Sequence, residues 1–428
     1  MSRTTLRAIT VAVVVVAGLL GQSLVASTVV VGPTNCQPTL VHFSTIQAAI
    51  NASPQGGTVL VCPGVYPEQI AIFHPITIKG IDYNGSNLAL ITMPSGGTNS
   101  QVYVQATGVN LSDLTIDGSN NGATGCGQGP NGIYYFGSSG VINHVAIRNE
   151  APTGQAGCND GDGIFVGGGP GFAATVTIEN SSIHAFQRNG IEASGGDVNV
   201  TVKNNTIGGN TIGPASNGVA IWFGASGIVS GNSIINVLEP VSYPNIFGGG
   251  FGIIVECSQG VTISGNSIGD TQTGIFVYSA PGCKTGNGDG NTISRNIISQ
   301  THIFDALYVC GNYNLVQNNT INSTSEGAIN IDTSCNPGVS GYFNNFSGNT
   351  VNEACTTALV NPALIGQNTI GSNSTYNVSD DMLSGSIPLA AGTCSNAPSG
   401  PIRGGARVRG TGGLNFDSPR FHPSFPIH

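Results

Sequence analysis

Residues 252–268 read GIIVECSQGVTISGNSI, and residues 274–298 read GIFVYSAPGCKTGNGDGNTISRNII. The two are one unit written twice. Each opens with Gly and a short alternating apolar run, passes through a Gly-rich stretch, and closes with Asn followed two residues later by Ile. Working outward, the closing pattern recurs as VKNNTI at Ile207, VSGNSI at Ile234, ISGNSI at Ile268, ISRNII at Ile298, VQNNTI at Ile321 and FSGNTV at Val351. Looser copies end at Ile116, Ile147 and Ile183, so successive closings lie 23 to 36 residues apart. A drifting period of this size describes stacked supersecondary units whose loops vary in length. Inside each unit the alternation has period 2 and Val, Ile and Thr dominate, which predicts strands. No unit carries an amphipathic helical stretch, which excludes leucine-rich and ankyrin-type stacks.

Three short strands per unit, divided by Gly and Asn turns, describe one triangular coil in which each strand pairs with its counterpart a coil away. On these residues the chain resembles the right-handed parallel β-helix superfamily, which includes pectate lyases and polygalacturonases. The resemblance covers residues 44–370 and implies an all-β solenoid. It does not imply an activity, because one fold hosts many functions. The Asn two residues before each closing apolar residue (Asn205, Asn232, Asn266, Asn296, Asn319 and Asn349) is expected at a tight bend, tolerating left-handed backbone and forming a ladder of amides from coil to coil. Leu114, Val145 and Ser181 stand at the same position in the earlier coils and are expected to interrupt the ladder.

The expected organisation is a secretory signal over 1–27, an N-terminal cap over 28–57, the β-helix over 58–370, and a C-terminal cap and low-complexity tail over 371–428. Arg3 and Arg7 precede an apolar run and Leu24-Val25-Ala26 offers a cleavage site, the pattern of a secretory signal; an uncleaved anchor is the other reading. No later stretch is long and apolar enough to span a bilayer, so a secreted or cell-surface monomer is expected. The chain of 428 residues carries 64 Gly, a net charge of −9 and only 8% charged residues. That balance argues against a nucleic-acid partner, which requires a basic face. Ten Cys suit an oxidising compartment. Coil register suggests the pairs Cys36–Cys62, Cys126–Cys158, Cys257–Cys283, Cys310–Cys335 and Cys355–Cys394. Near the start, FSTIQAAINAS over 43–53 predicts a short helix capped by Ser44, with Gln47 at capping-box spacing. It would cover the open sheet edge at the end of the solenoid.

Function is sought on one face. The strands opening successive coils are GIYYF, GIFVG, GIEAS, GVAIWF, GIIVE, GIFVY, ALYVC and AINID. With Ile133, Ile164, Ile191, Val219, Ile253, Ile275, Leu307 and Ile329 turned inward, alternation turns Tyr134, Phe165, Glu192, Ala220, Ile254, Phe276, Tyr308 and Asn330 outward. A second outward column holds Phe136, Gly167, Ser194, Trp222, Glu256, Tyr278, Cys310 and Asp332. Aromatic rings in a row on a water-facing wall are what a sugar polymer requires, since pyranose rings present apolar faces for stacking. Tyr134, Phe165, Trp222, Glu256, Phe276, Tyr278 and Tyr308 are therefore the candidate substrate-binding residues. Loops folded over this face would make the same rings ordinary core.

Charges are scarce, and Arg148, Glu150, Asp160, Asp162, Glu179, Arg188, Glu192 and Asp197 gather within 54 residues of sequence, from His144 to Asp197. Glycoside hydrolysis needs two carboxyl groups, one protonated. Eliminative cleavage of a uronate needs a base and a cation or Ca²⁺ against the developing charge. Asp160, Asp162 and Glu192 are the candidate carboxyl groups, with Arg188 as base or clamp, and Ca²⁺ is the cofactor such a site would admit. Asp162 also fills the turn position held elsewhere by Asn131, Asn189 and Asn217, where a plain turn explains it. GNGDGN at 286–291 has calcium-loop spacing, although a turn accounts for it. Within residues 44–370 the Asp-Asp and Gly-His-Gly of polygalacturonases, the Asp-Pro-His of mannuronan epimerases and the Trp-Ile-Asp-His of pectate lyases are missing. So are the later motifs of pectin methylesterases, which the opening coils resemble. Two functions stand after the sequence: a polysaccharide lyase or glycoside hydrolase, and a non-catalytic β-helix serving as a surface, adhesive or structural protein.

Overall fold

A computed structural model describes residues 27–122, 130–151, 160–209, 217–238, 250–279, 283, 288–301, 305–322, 324, 327–331, 341–352, 359–360 and 368–370. The expected signal at 1–27 (all but Ser27) and the expected tail at 371–428 lie outside these residues, as do Cys126, Cys158, Cys335, Cys355, Cys394 and Asp332.

The chain winds through three parallel sheets in strict rotation. Sheet 1 has fourteen strands, from Val41–Phe43 and Thr28–Val31 at one end to Thr369–Ile370 at the other. Sheet 2 runs from Gly64–Pro67 to Thr350–Val351 and sheet 3 from Ile70–Ile72 to Leu359–Val360, each with eleven strands. One strand from each sheet makes a coil, so the described residues form eleven full coils. At roughly 4.8 Å per coil the stack is about 50 Å long.

The inward column is buried throughout: Ile133, Ile164, Ile191, Val219, Ile253, Ile275, Leu307 and Ile329 share one continuous core. The Gly before each of the first six has a steric cause. A Cβ at Gly218 would lie 2.6 Å from Ile234 Cγ2 and 2.5 Å from the Gly252 carbonyl oxygen, and Gly132, Gly163, Gly190, Gly252 and Gly274 repeat that contact with the Ile that closes their own repeat. The first and last residues of the repeating motif are thus two sides of one joint.

The Asn ladder forms, with two differences from the sequence reading. Each amide bridges coils: Asn232 Nδ2 donates to Asn266 Oδ1 at 2.9 Å and to the Val202 oxygen at 3.0 Å, while Asn232 N donates to the same Asn266 oxygen at 3.0 Å. The left-handed residue is the one before the ladder Asn, as at Asn204, Gly231, Gly265, Arg295, Asn318 and Gly348. The bend is made there, and the ladder Asn is left free to satisfy buried backbone. Ser181 does not interrupt the ladder but ends it: its N–H donates to Asn205 Oδ1 and its hydroxyl accepts from Val145 N. Leu114 and Val145 instead join the apolar core. A second ladder, absent from the sequence reading, runs Asn291, Asn314, Asn344, Asn368.

The short helix spans Ile46–Ala52, and its cap is Thr45 rather than Ser44: the Thr45 hydroxyl accepts from Ala48 N. Glu68 adds its carboxylate to the first turn, accepting from Ile46 N and Gln47 N at 2.8 and 2.9 Å, where the exposed N–H groups favour an anion. Gln47 pairs both ways with the backbone of Ala71 on the edge strand of sheet 3. The helix therefore completes the open edge with a side-chain amide. Disulfides join Cys36 to Cys62 and Cys257 to Cys283. Cys310 is also disulfide-bonded.

Candidate functional site

The register of sheet 3 is the one alternation demands. Tyr134, Phe165, Glu192, Ala220, Ile254, Phe276, Tyr308 and Asn330 are successive partners, and Phe136, Gly167, Ser194, Trp222, Glu256 and Tyr278 form the column beside them. Tyr103 extends the first column one coil toward the N-terminus. It went unread because its strand, SQVYV, has Gln101 where the next six coils have Gly; period-2 alternation alone would have found it.

The rings group in two banks. In the first, Tyr134 stacks on Phe165 at 4.7 Å between centroids and meets Tyr103 and Phe136 edge-on. In the second, Phe276 stacks on Phe251 at 4.8 Å and on Tyr278 at 5.3 Å, with Tyr308 edge-on at 5.0 Å. Tyr134, Phe165, Phe136, Phe276 and Tyr308 keep part of their surface in water. The middle of the wall does not fit the open row expected from alternation. Trp222 is 3% exposed, and Glu256, Tyr278, Ala220 and Ile254 are also buried. Alternation fixes which way a side chain points and says nothing of what packs on it; here Trp222 clusters with Ala220, Phe251, Ile254, Phe223 and Phe276.

Between the banks sits a charged cluster. Asn189 Nδ2 donates to Asp162 Oδ1 at 2.9 Å and to Glu192 Oε2 at 2.7 Å. Arg188 Nη1 lies 3.4 Å from Glu192 Oε2 and 3.9 Å from Asp162 Oδ2. The charge of Asp160 also acts on Arg188 and Asp162. Coil stacking brings these residues together: Asn189 is the coil-to-coil counterpart of Asp162 and, in the next coil, of Asn217, which donates to Asn189 Oδ1. Asp162 is therefore a rung of a third ladder, as its turn position suggested, and a member of the ion cluster as well. The rest of the charged segment is dispersed. Arg148 pairs with Asp117 on sheet 2 and Glu179 with Lys203 on sheet 1.

The carboxyl groups converge in a closed place, not an open cleft: Glu192 is 1% exposed and Asp162 is buried. Burial raises the pKa of Glu192, and the Asp162 charge adds to it against the opposing pull of Arg188. Burial likewise raises Asp162, opposed by Arg188 and the Asn189 amide. Arg188 cannot be the base. Although burial works against its charge, the carboxylates of Glu192, Asp162 and Asp160 outweigh it and hold the guanidinium protonated. Burial lifts Glu256 to about 7, and among the described residues its Oε2 has no hydrogen-bond partner, nor does Trp222 Nε1. Glu150 fills an inward corner position, fully buried, with neither carboxyl oxygen bonded; desolvation, with Asp117 and Asp162 nearby, raises it well above the ordinary range.

Ca²⁺ does not fit the cluster. Asp162 Oδ1 and Glu192 Oε2 already accept from Asn189, and Arg188 holds the position between the two carboxyl groups that a cation would take. Among the described residues no three His, Cys, Asp or Glu are arranged to hold a metal. In the 286–291 stretch, Asp289 accepts from Asn312 N at 2.7 Å as a turn-and-ladder group.

Residues 131–306, which hold the charged cluster and all the bank rings but Tyr103 and Tyr308, match the family described as right handed beta helix region. The protein is a right-handed parallel β-helix. The A-module of mannuronan C-5 epimerase AlgE4 from Azotobacter vinelandii has the same fold at 15% identity and TM-score 0.51, over 77% of this chain and 90% of that one. The Dettilon tailspike protein aligns at 13% identity and TM-score 0.48, over 73% and 62% of the two chains. Pectate lyase Pel9A aligns at 16% and 0.40, over 84% and 80%. No curated protein sequence matches this β-helix. Among its described residues no helix is long and apolar enough to cross a membrane.

Proposed function

We propose that this β-helix is a secreted or cell-surface protein that binds a polysaccharide along the outward face of sheet 3. The observation that carries the reading is the pair of aromatic banks in coil-to-coil register, Tyr134–Phe165 and Phe276–Tyr308, on either side of Glu192. Stacked rings about 4.8 Å apart along a rod form a platform that a linear polymer can follow. Disulfides at Cys36–Cys62 and Cys257–Cys283 support an oxidising location. The AlgE4 A-module, whose fold this chain shares, is named for its action on mannuronan, a polysaccharide.

The finer reading is cleavage of that polymer, with Glu192 as the proton donor and Asp160 or Asp162 as the second carboxyl group. A carboxyl group kept protonated by burial is the acid that glycoside hydrolysis uses. Eliminative cleavage would need Arg188 to face a uronate, yet Arg188 already faces Glu192 and Asp162. A non-catalytic adhesive or structural role is the second reading, and the closed hydrogen bonding around Glu192 favours it.

Affinity electrophoresis of the full chain through gels containing a panel of polysaccharides tests binding. At least one polymer retards the protein, and Phe165→Ala and Tyr308→Ala each weaken the retardation; a panel without retardation refutes the reading. Reducing-end release by the parent but not by Glu192→Gln assigns cleavage. Retardation without release leaves the binding role alone.

A further inference from the structure

Trp222 and Glu256 are direct partners on adjacent strands of sheet 3. Both side chains point outward, both are at most 3% exposed, and each carries a polar atom with no hydrogen-bond partner among the described residues, Trp222 Nε1 and Glu256 Oε2. Two further partnerless atoms lie along the same sheet: Arg188 Nε, whose guanidinium carbon stands 4.9 Å over the Trp222 ring, and Ser279 Oγ, next to Tyr278. Buried polar atoms are nearly always paired, so neighbouring exceptions among the described residues are a place for a ligand's polar group. The indole nitrogen only donates and an ionised carboxylate only accepts. A single group that serves both must accept from Trp222 and donate to Glu256. A hydroxyl does this. A uronate residue also carries hydroxyls, but its carboxylate would add a like charge beside Glu256.

The charge on the face agrees. Asp160, Asp162, Glu192 and Glu256 are set there against one described cation, Arg188, which is already held by two carboxyl groups. A polyanion would meet these carboxyl groups and, among the described residues, no free counter-charge.

We propose that the glycan of this face is a neutral polysaccharide, and that a sugar hydroxyl bridges Trp222 Nε1 and Glu256 Oε2. This rests on the glycan-binding reading above and names its substrate class, against the uronate polymers that the fold's resemblance first suggests.

Trp222 is the only tryptophan of the chain, so its emission reports directly on the subsite. The test titrates the full chain at pH 8, where Glu256 is largely ionised, with gluco-, xylo-, manno- and galacto-oligosaccharides and with oligomers of galacturonate, mannuronate and guluronate. Calorimetry runs in parallel. At least one neutral oligomer shifts the emission saturably, and every uronate binds at least tenfold more weakly. Glu256→Gln removes the charge and narrows that gap by raising uronate affinity. A uronate that binds as tightly as any neutral oligomer overturns the proposal but leaves the glycan-binding reading standing. Binding of no oligomer by either method overturns both.

Discussion

The Arg188 guanidinium carbon lies 4.9 Å from the centroid of the Trp222 ring while its Nη1 faces Glu192 at 3.4 Å. One side chain thus joins the buried acids to the second aromatic bank. Removing it strands two buried carboxyl groups, and breaking such a group costs about 3–5 kcal/mol. Arg188→Ala is expected to lose about 3 kcal/mol of unfolding free energy at pH 8 and to shift Trp222 emission. The loss shrinks at pH 5, because Glu192, raised to about 8 by burial, takes up a proton there. Arg188→Lys restores charge but not the planar stack, so stability recovers in part and the emission does not. Denaturant unfolding at the two pH values checks this, and an equal loss at both would show that the carboxyl groups do not depend on Arg188.

Glu256 gives a second pH signature. Its folded pKa, about 7, lies above the ordinary 4.5, so the folded state holds the proton more tightly. The contribution to stability is complete below about 4.5 and is lost as pH rises through about 7, a difference on the order of 3 kcal/mol. Glu256→Gln is expected to flatten the decline in stability between pH 5 and pH 8. Asp117 behaves oppositely. Burial opposes its charge, but hydrogen bonds from Asn149, Ser119 and Arg148 prevail and lower it to about 2. Its contribution is present above about 4 and fades as pH falls toward 2, a slope that Asp117→Asn removes. Chemical denaturation across pH for the two variants separates the effects.

Much of this was legible before any coordinate. Period-2 alternation fixed the inward column, and the coil period brought Asp162 and Asn189 together across 27 residues. What stayed hidden depended on contacts that no local pattern encodes. The burial of Trp222 is decided by what packs over the sheet. Glu150 stands in the sequence only as one of the gathered charges from His144 to Asp197, and no local period encodes its full burial. The second Asn ladder escaped because its members lie at the opening of sheet 1 strands, outside the closing motif that defined the repeat.

The Gly column yields a prediction about space rather than backbone freedom. At Gly218 a methyl group would meet the Gly252 oxygen at 2.5 Å and Ile234 Cγ2 at 2.6 Å. Neither can move without shifting a coil, and overpacking of this kind costs about 1–3 kcal/mol. Gly218→Ala should therefore destabilise by that amount, while Gly196→Ala, where a methyl meets nothing within 4 Å, should stay within about 0.5 kcal/mol. Thermal unfolding of both variants decides it. Equal midpoints would mean that the joint between Gly and the closing Ile has slack.

The ladder Asn is a two-way group, and that predicts which substitutions it tolerates. Asn266 Oδ1 accepts from Asn232 N and Nδ2, and its own Nδ2 donates to the Val229 oxygen and to Asn296 Oδ1. Asn266→Ala takes the acceptor from Asn232 N–H and one of the two bonds from Asn232 Nδ2, and takes the amide donor from the Val229 oxygen, a loss of about 3 kcal/mol at about 1–3 kcal/mol per group. Asn266→Asp keeps the acceptor but sets a carboxylate oxygen against Val229 O and Asn296 Oδ1, so it should be as harmful at pH 7 and partly relieved at pH 3, where the proton restores one donor. Asp162 survives in its own ladder because Arg188 faces its second oxygen. If Asn266→Asp is as stable as the parent at pH 7, the amide N–H bonds are dispensable and the ladder is held by its acceptors alone.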